Sequence, residues 1–268
     1  MPSMNIDEVF VAVGEGRTFV RRWTPDASAS RTPLVLLHDS LGSVEQWREF
    51  PALLAERLRR PVIAYDRPGF GRSSTRTAPA SLDFIAEEAQ VHFPELRRAL
   101  GIDAFGLFGH SVGGAMAVVI AATQDANCCF LITESAQAFV EPRTLDGIRS
   151  AQAQFEDDVQ FARLTRWHGE RARWVLQAWT SVWLDPAFAG WSLDPWLPRV
   201  RCPVLAIHGD RDEYGSIAFP ERIAGLVGGP SQLAILENCG HVPHREIPEA
   251  VLQQILAFAS AHERSFAS

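Results

Sequence analysis

Runs of apolar residues, some alternating with polar ones and some continuous, divide the chain into predicted strands. Near the start, Glu8–Val13 and Thr18–Trp23 alternate around a turn that contains Gly14 and Gly16, which predicts an antiparallel hairpin. Later apolar runs are short and continuous, as expected for strands that are buried on both faces. These runs are Leu34–Leu37, Val62–Tyr65, Phe105–Phe108, Phe130–Thr133, Val204–Ile207 and Leu233–Leu236.

Longer segments with helical spacing lie between most of these runs. They cover Trp47–Leu58, Leu82–Leu100, Val112–Ala122, Ile217–Leu226 and Pro248–His262. In the last segment, apolar residues recur on one face of a helix, as expected when that face packs against a sheet. The alternation of strands and helices predicts the α/β class, with a mostly parallel central sheet and helices on both of its faces.

One stretch, residues 139–198, breaks the alternation. It carries no strand signal, and it contains Trp167, Trp174, Trp179, Trp183, Trp191 and Trp196. We predict a helical cap that is inserted after the sixth strand and covers the carboxyl edge of the sheet. The chain is then one domain with an insertion: residues 1–138 and 199–268 form the core and residues 139–198 the cap. The tryptophans are expected to pack, to line a pocket, or to do both.

Composition excludes several classes of function. The 268 residues carry a formal net charge of −7, whereas a nucleic-acid-binding protein needs a basic face. The first residues lack the basic and apolar parts of a secretory signal, and the apolar run Ala115–Ala122 is shorter than the ~20 residues that span a bilayer. No C-x-x-C pair occurs among the four cysteines, so neither a disulfide framework nor a zinc site is indicated. We expect a cytoplasmic protein with no nucleic-acid or membrane partner.

The sharpest local signal for chemistry is Gly109–Gly114, which places Ser111 between a predicted strand and a predicted helix. A serine at the tip of such a turn adopts strained backbone geometry, and Gly109 and Gly113 supply the space that the turn needs. The turn lifts the hydroxyl clear of the sheet and points the helix N-terminus at it. This context predicts that Ser111 is a nucleophile.

Five motifs in order resemble those of the α/β-hydrolase superfamily, over a range from Leu34 almost to the C-terminus. They are Leu36–His38 with Gly42, Ser43 and Trp47; Tyr65–Ser73; the turn around Ser111; His208–Asp212; and Gly240–Pro248. The resemblance implies the α/β-hydrolase fold, with a serine nucleophile and a cap inserted after the sixth core strand.

A serine hydroxyl needs a nearby base that a third group holds in the right tautomer. The resemblance implies that His241 is this base, and the family's G-x-x-D spacing from Gly209 selects Asp212 as the acid. Asp210 would then hydrogen-bond within its own loop, as turn aspartates often do. Glu134 stays open as an alternative acid, because it follows the predicted strand Phe130–Thr133 and some family members place the acid after the corresponding strand.

An oxyanion intermediate needs two fixed backbone N–H donors, for which we expect those of Ser40 and Val112. The family usually has glycine where this chain has Asp39. A carboxylate there is unhelpful unless it points away or is neutralised, for example by Arg67 or Arg72. We expect Asp39 to point to the surface, without a part in catalysis. His110 is expected to point away from the site, and His244 to have a structural or rim role. His38 is expected to brace the oxyanion turn, by which we mean the turn after Leu34–Leu37 that contains Ser40.

The nucleophile narrows the reaction. Epoxide hydrolases and haloalkane dehalogenases of this fold use aspartate as the nucleophile. Epoxide hydrolases also need tyrosines in the cap, whereas Tyr65 and Tyr214 both lie outside the predicted cap. A serine nucleophile is instead typical of enzymes that transfer acyl groups. Our leading hypothesis is hydrolysis of a small carboxylic ester or lactone. This mechanism requires no metal or organic cofactor, and no ligand cluster suggests one.

Two alternatives stay open. One is hydrolytic cleavage of a carbon–carbon bond in a carboxylate-bearing metabolite, with a cap arginine as a clamp for the carboxylate. The candidates for that clamp are Arg143, Arg149, Arg163, Arg166, Arg171 and Arg173. The other is a receptor of the same fold that binds a small apolar ligand under the cap. The oligomeric state has no signal in the sequence.

Overall fold

A twisted eight-stranded sheet forms the centre of the molecule. The computed structural model describes residues 4–26, 32–124, 126–262 and 265. Within these residues the strands are β1 Met4–Val13, β2 Gly16–Pro25, β3 Leu34–Leu37, β4 Val62–Tyr65, β5 Phe105–His110, β6 Cys128–Glu134, β7 Val204–Gly209 and β8 Ser231–Leu236. Their order is β1-β2-β4-β3-β5-β6-β7-β8. The strands β1 and β2 run antiparallel to their neighbours and the others are parallel, so the predicted hairpin and parallel sheet are confirmed.

Helices connect the strands. Those of the described ranges are α1 Phe50–Leu58, α2 Phe84–Glu87, α3 Phe93–Leu100, α4 Val112–Thr123, α5 Pro142–Gln154, α6 Asp158–His168, α7 Ala172–Trp183, α8 Ala218–Leu226, α9 Pro243–Glu246 and α10 Pro248–Ala261. The predicted helix over 82–100 consists of α2, a π-helical turn at Glu88–His92, and α3. Within those ranges, no helix has both the length and the apolar character required to cross a membrane.

Apolar layers cover both faces of the sheet, as the continuous apolar runs predict. In β3, the side chains of Leu34 and Leu36 belong to the core layer that includes residues of α1 and α10. The intervening Val35 and Leu37 belong to the opposite layer, which includes most of α4. All four residues are buried, because successive side chains of a strand point to opposite faces and helices cover each of them.

The segment between β6 and β7 is helical and contains α5, α6 and α7. Its two ends meet: Phe139 and Ser192 form an isolated antiparallel bridge, and the Leu193 N–H donates to the Ala138 carbonyl over 2.7 Å. One tryptophan, Trp183, is 2% exposed and packs edge-on against Phe188 and Trp191. Packing therefore accounts for part of the tryptophan content of this segment.

Candidate active site

The nucleophile candidate lies on a sharp turn where β5 ends and α4 begins. Ser111 has φ 55° and ψ −127°, a conformation that side-chain-bearing residues rarely adopt. A Cβ atom on Gly109 would lie 2.2 Å from the carbonyl oxygen of Gly113, and one on Gly113 would lie 2.2 Å from that of Leu37. Both glycines are therefore required by the close approach of backbone at this turn.

The structure brings the three residues of the predicted triad together. The Ser111 hydroxyl lies 3.0 Å from Nε2 of His241, so it can donate its proton to that nitrogen. On the other side of the ring, Nδ1–H of His241 donates to the Asp212 carboxylate, whose oxygens lie 2.8 and 2.9 Å away. This tautomer follows from the hydrogen-bond partners. These contacts follow the order that the predicted roles of nucleophile, base and orienting acid require.

Asp212 is held as an oriented anion. It is 1% exposed, and one carboxylate oxygen also accepts from the backbone N–H groups of Tyr214 (2.7 Å) and Gly215 (3.2 Å). Burial raises the pKa of Asp212, but the electrostatic interaction with His241 and the hydrogen bond from its ring outweigh burial and hold that pKa below its ordinary value. The carboxylate therefore stays charged at neutral pH.

The other two candidate acids have different partners. The Asp210 side chain accepts from the backbone N–H of Cys239 over 3.2 Å, so it bridges to the loop that carries His241, and its predicted hydrogen bond within its own loop is wrong. Glu134 is fully buried and accepts from Nδ1 of His244 over 2.5 Å. This contact gives His244, which is 4% exposed, a structural role.

The candidate oxyanion donors lie at two turns on either side of the nucleophile. Val112 is the first residue of α4, so its N–H has no acceptor in the preceding helical turn. Ser40 lies in the turn after β3 and lines the same cavity as Ser111. Within the described structure, Asp39 accepts from the N–H groups of Leu41 and Gly42 but not from that of Ser40. That these two N–H groups stabilise an oxyanion remains a prediction.

The predicted outward orientation of Asp39 is wrong. Its side chain is 23% exposed, and Oδ2 lies 3.4 Å from Nδ1 of the buried His110. Arg67 donates to the backbone carbonyl of Asp39 (2.7 Å) and Arg72 pairs with Glu8 (2.9 Å), so neither arginine hydrogen-bonds to the Asp39 carboxylate in the described structure. The Asp39 carboxylate therefore faces the buried His110 ring rather than the surface.

His38 braces the oxyanion turn, as expected. Its Nε2 accepts from the backbone N–H of Arg67 (3.1 Å), and its Nδ1–H donates to the Asp39 carbonyl (2.8 Å). Burial lowers the pKa of His38 well below its ordinary value, and the positive charge of Arg67 adds to that effect. The ring is therefore neutral and works as a fixed hydrogen-bonding spacer.

Sequence reasoning missed Gln137. This side chain is 6% exposed, and its amide nitrogen donates to the Ser111 hydroxyl oxygen over 3.1 Å. It lies three residues beyond the end of β6, at the carboxyl edge of the sheet where the other site residues lie. That position was the available signal, because polar residues at this edge often contribute to sites in α/β sheets.

We expect Gln137→Ala to lower kcat/KM about two- to tenfold, since a net hydrogen bond contributes about 0.5–1.5 kcal/mol. The variant keeps the Ser111–His241 contact but loses a donor to the hydroxyl oxygen. Steady-state kinetics with an activated ester measure the effect. The control is Gln177→Ala, an exposed residue of α7. An unchanged kcat/KM in the Gln137 variant would show that this amide has no part in the reaction.

An open cavity of about 540 Å³ gives access to the Ser111 hydroxyl. Its lining includes Ser40, Trp179 and Trp183, and these three residues also line an adjoining cavity of about 480 Å³. Among the described residues that line the first cavity, none is an arginine. Arg143 of α5 instead donates to the carbonyl oxygen of Asp212 over 3.2 Å. The carboxylate clamp from a cap arginine therefore finds no support at this cavity.

One cluster has the composition of a metal site. His110, Glu134 and His244 are buried, and each offers a ligand atom within 4.8 Å of the others. However, His244 uses its Nδ1–H for Glu134, and His110 uses its Nε2–H for the carbonyl of His241. A metal ion that bound through either of these two nitrogens would have to displace the hydrogen bond that the structure shows there. We assign the cluster to hydrogen bonding.

Comparison with known proteins identifies relatives of the chain. A family model for the alpha/beta hydrolase fold matches residues 32–246. A proline iminopeptidase from Lactobacillus delbrueckii subsp. lactis is 33% identical over 116 residues, which are 43% of this chain and 39% of that protein. The matched part of this curated relative is thus well under half of its length.

Solved structures match over nearly the whole chain. A membrane phospholipase A superposes with a TM-score of 0.79 at 22% identity, over 96% of this chain and 87% of that one. A carboxylesterase from Bacillus subtilis superposes with a TM-score of 0.70 at 23% identity, over 95% of this chain and 91% of that one. At such identities the likeness shows a shared fold.

Proposed function

Because this chain belongs to the α/β-hydrolase family, we propose that it is a serine hydrolase that cleaves a small carboxylic ester or lactone. The observation that carries the proposal is the continuous hydrogen-bonded series from Ser111 through His241 to Asp212. Ser111 and His241 both line the cavity described above, so a bound substrate could reach the hydroxyl and the imidazole.

In the proposed first step, the Ser111 oxygen attacks the ester carbonyl carbon while His241 Nε2 takes the hydroxyl proton. The carbonyl oxygen becomes an oxyanion, which the backbone N–H groups of Ser40 and Val112 stabilise. Collapse of this intermediate breaks the bond to the alcohol oxygen, and His241 returns the proton to that oxygen. The products of the step are a free alcohol and an acyl group on Ser111.

In the second step, a water molecule attacks the acyl carbonyl and gives one proton to His241. The second tetrahedral intermediate collapses, the carboxylic acid leaves, and the proton returns to the Ser111 oxygen. Asp212 stays charged throughout, since its role is to orient the imidazole and to stabilise the imidazolium that forms in each step. The lowered pKa of Asp212 is consistent with that role.

Ester or lactone hydrolysis is favoured over carbon–carbon cleavage by the lining of the cavity. A carboxylate-bearing substrate needs a cationic clamp, and none of the described residues that line the cavity at Ser111 is an arginine, whereas Arg67 and Arg76 line the adjoining cavity. Apolar and aromatic groups dominate there, including Leu41, Ile148, Trp179 and Trp183. Such a lining suits an uncharged acyl or alcohol group.

The proposal is tested with p-nitrophenyl acetate, butyrate and octanoate, and with prolyl p-nitroanilide in view of the relative named above. We expect sustained ester turnover with little or no cleavage of the anilide. A fluorophosphonate probe is expected to add one covalent label, which peptide mass spectrometry places on Ser111. Preferred cleavage of the anilide would show that the protein is a peptidase rather than an ester hydrolase. A labelled protein without turnover of any substrate would favour the receptor alternative.

A further inference from the structure

Asp39 occupies a position where the family resemblance implies glycine, and its carboxylate faces a buried histidine. We propose that Asp39 and His110 form an ion pair that holds the oxyanion turn against the loop of His241. The pair thereby positions the Ser40 N–H and the catalytic imidazole relative to Ser111. This inference rests on the proposed serine-hydrolase function.

Both ring nitrogens of His110 face acceptors. Nε2 lies 2.8 Å from the backbone carbonyl oxygen of His241, and Nδ1 lies 3.4 Å from the Asp39 carboxylate. A neutral imidazole carries a single N–H, so one nitrogen would present its lone pair to an acceptor. A protonated imidazole donates at both positions. The geometry therefore favours the imidazolium form of His110.

The surroundings of His110 are consistent with a buried cation. The ring is 1% exposed, and the groups that face it from neighbouring elements are the Asp39 carboxylate, Glu134, the neutral His244, and both the carbonyl and the imidazole ring of His241, whose centroid lies 5.1 Å from that of His110. Burial lowers the pKa of His110, but Asp39 and Glu134 outweigh burial and leave that pKa above its ordinary value. The guanidinium of Arg245 adds positive charge near Asp39, and it helps to lower the pKa of that carboxyl.

The pair links three segments that must keep a fixed relative position. Asp39 also accepts from the N–H of Leu41 over 2.8 Å, which fixes the turn that contains Ser40. His110 directly precedes Ser111 in the chain and bonds to the backbone of His241. Asp39 and His110 are therefore positioning residues, because they act through the groups that would contact the reacting atoms.

The pair has a defined pH window. Since the pKa of folded His110 lies above its ordinary value, the stabilisation is fully present below the ordinary histidine pKa and is lost as pH rises through the raised one. Since the pKa of folded Asp39 lies below its ordinary value, its contribution is present above the ordinary carboxyl range and is lost as pH falls through the lowered one. The window in which both groups are charged therefore begins within the carboxyl range and ends at the raised pKa of His110.

The test is Asp39→Asn, which keeps an oxygen for the Leu41 N–H but removes the charge. We expect kcat to fall about ten- to hundredfold with little change in KM, because misplacement of reacting groups costs that much. We also expect the alkaline limb of the pH–kcat profile to move to lower pH. In ¹⁵N NMR spectra at neutral pH, the His110 imidazole is expected to change from doubly protonated to neutral. The control, Asp146→Asn, removes an exposed carboxylate that pairs with Arg149 on the surface of α5.

A double-mutant cycle with His110→Gln separates pairing from independent effects. If the two residues act together, the double variant loses no more activity than the more damaging single variant. Additive losses, an unmoved pH profile, or a neutral His110 ring in the wild-type protein at neutral pH would overturn the inference. Should the wild-type protein turn over no ester, the proposed function fails, while the NMR measurement still decides whether the ion pair exists.

Discussion

Replacement of Ser111 by alanine is expected to lower kcat for p-nitrophenyl esters by about 10⁴- to 10⁶-fold, the range found when a serine nucleophile is removed from a triad. The hydroxyl that donates to His241 over 3.0 Å is then missing, and the base has no nucleophile to activate. Residual rate comes from oxyanion stabilisation and binding alone. Burst kinetics and steady-state turnover measure the loss, and the fluorophosphonate label is expected to disappear with it.

The matched control for this variant is Ser135→Ala, which removes a hydroxyl from another buried serine nearby. Ser135 also has a positive φ, 50°, and its hydroxyl has no hydrogen-bond partner within the described structure. Alanine has the same backbone preferences as serine at both turns, so both variants are expected to unfold at temperatures close to that of the wild-type protein. If the folded Ser111→Ala variant retained turnover, Ser111 would not be the nucleophile.

Replacement of Asp212 by asparagine is expected to lower kcat about 10⁴-fold. An asparagine amide N–H directed at Nδ1 of His241 would make that nitrogen an acceptor, which moves the ring proton to Nε2. A protonated Nε2 cannot accept the hydroxyl proton of Ser111. The asparagine keeps the oxygen that accepts from both backbone N–H groups but loses the charge that strengthens these hydrogen bonds, so we also expect a lower melting temperature.

Two further carboxylates complete the test of the acid. Asp210→Asn keeps an oxygen that can accept from Cys239, so we expect activity within a few-fold of the wild-type value. Glu134→Gln is expected to disturb His244 and stability, and per folded molecule to keep at least about a hundredfold more activity than Asp212→Asn. Full activity in the Asp212 variant, together with loss of activity in the Glu134 variant, would show that Glu134 and not Asp212 is the acid of the triad.

Much of the fold followed from local pattern. Continuous apolar runs such as Leu34–Leu37 identify strands that are covered on both faces, and the structure confirms the parallel sheet. The exact ends of elements were less accessible, because they depend on backbone turns. The predicted helix that starts at Trp47 begins at Phe50, since Val44–Trp47 form a 3₁₀ turn and Arg48 adopts φ 52°.

Sequence reasoning reached the parts of the site that lie in short motifs with fixed spacing. Ser111 followed from its place between a strand and a helix, and His241 and Asp212 from the family resemblance; the three meet in the structure, while their catalytic roles stay predictions. Gln137 and the inward turn of Asp39 were missed, because each depends on contacts between segments that are far apart in the chain. Spacing within one loop carries no information about such contacts.

The bridge between Phe139 and Ser192 closes the helical segment into a unit that leaves and rejoins the sheet at a single point. Insertions, deletions or replacements between these positions that keep the hydrogen bond from Arg143 to the Asp212 carbonyl need not shift the strands that precede Ser111 and Asp212. Two of the cavity-lining tryptophans, Trp179 and Trp183, belong to this unit. Selection can therefore reshape the cavity through one stretch of the gene while the contacts among Ser111, His241 and Asp212 are inherited unchanged.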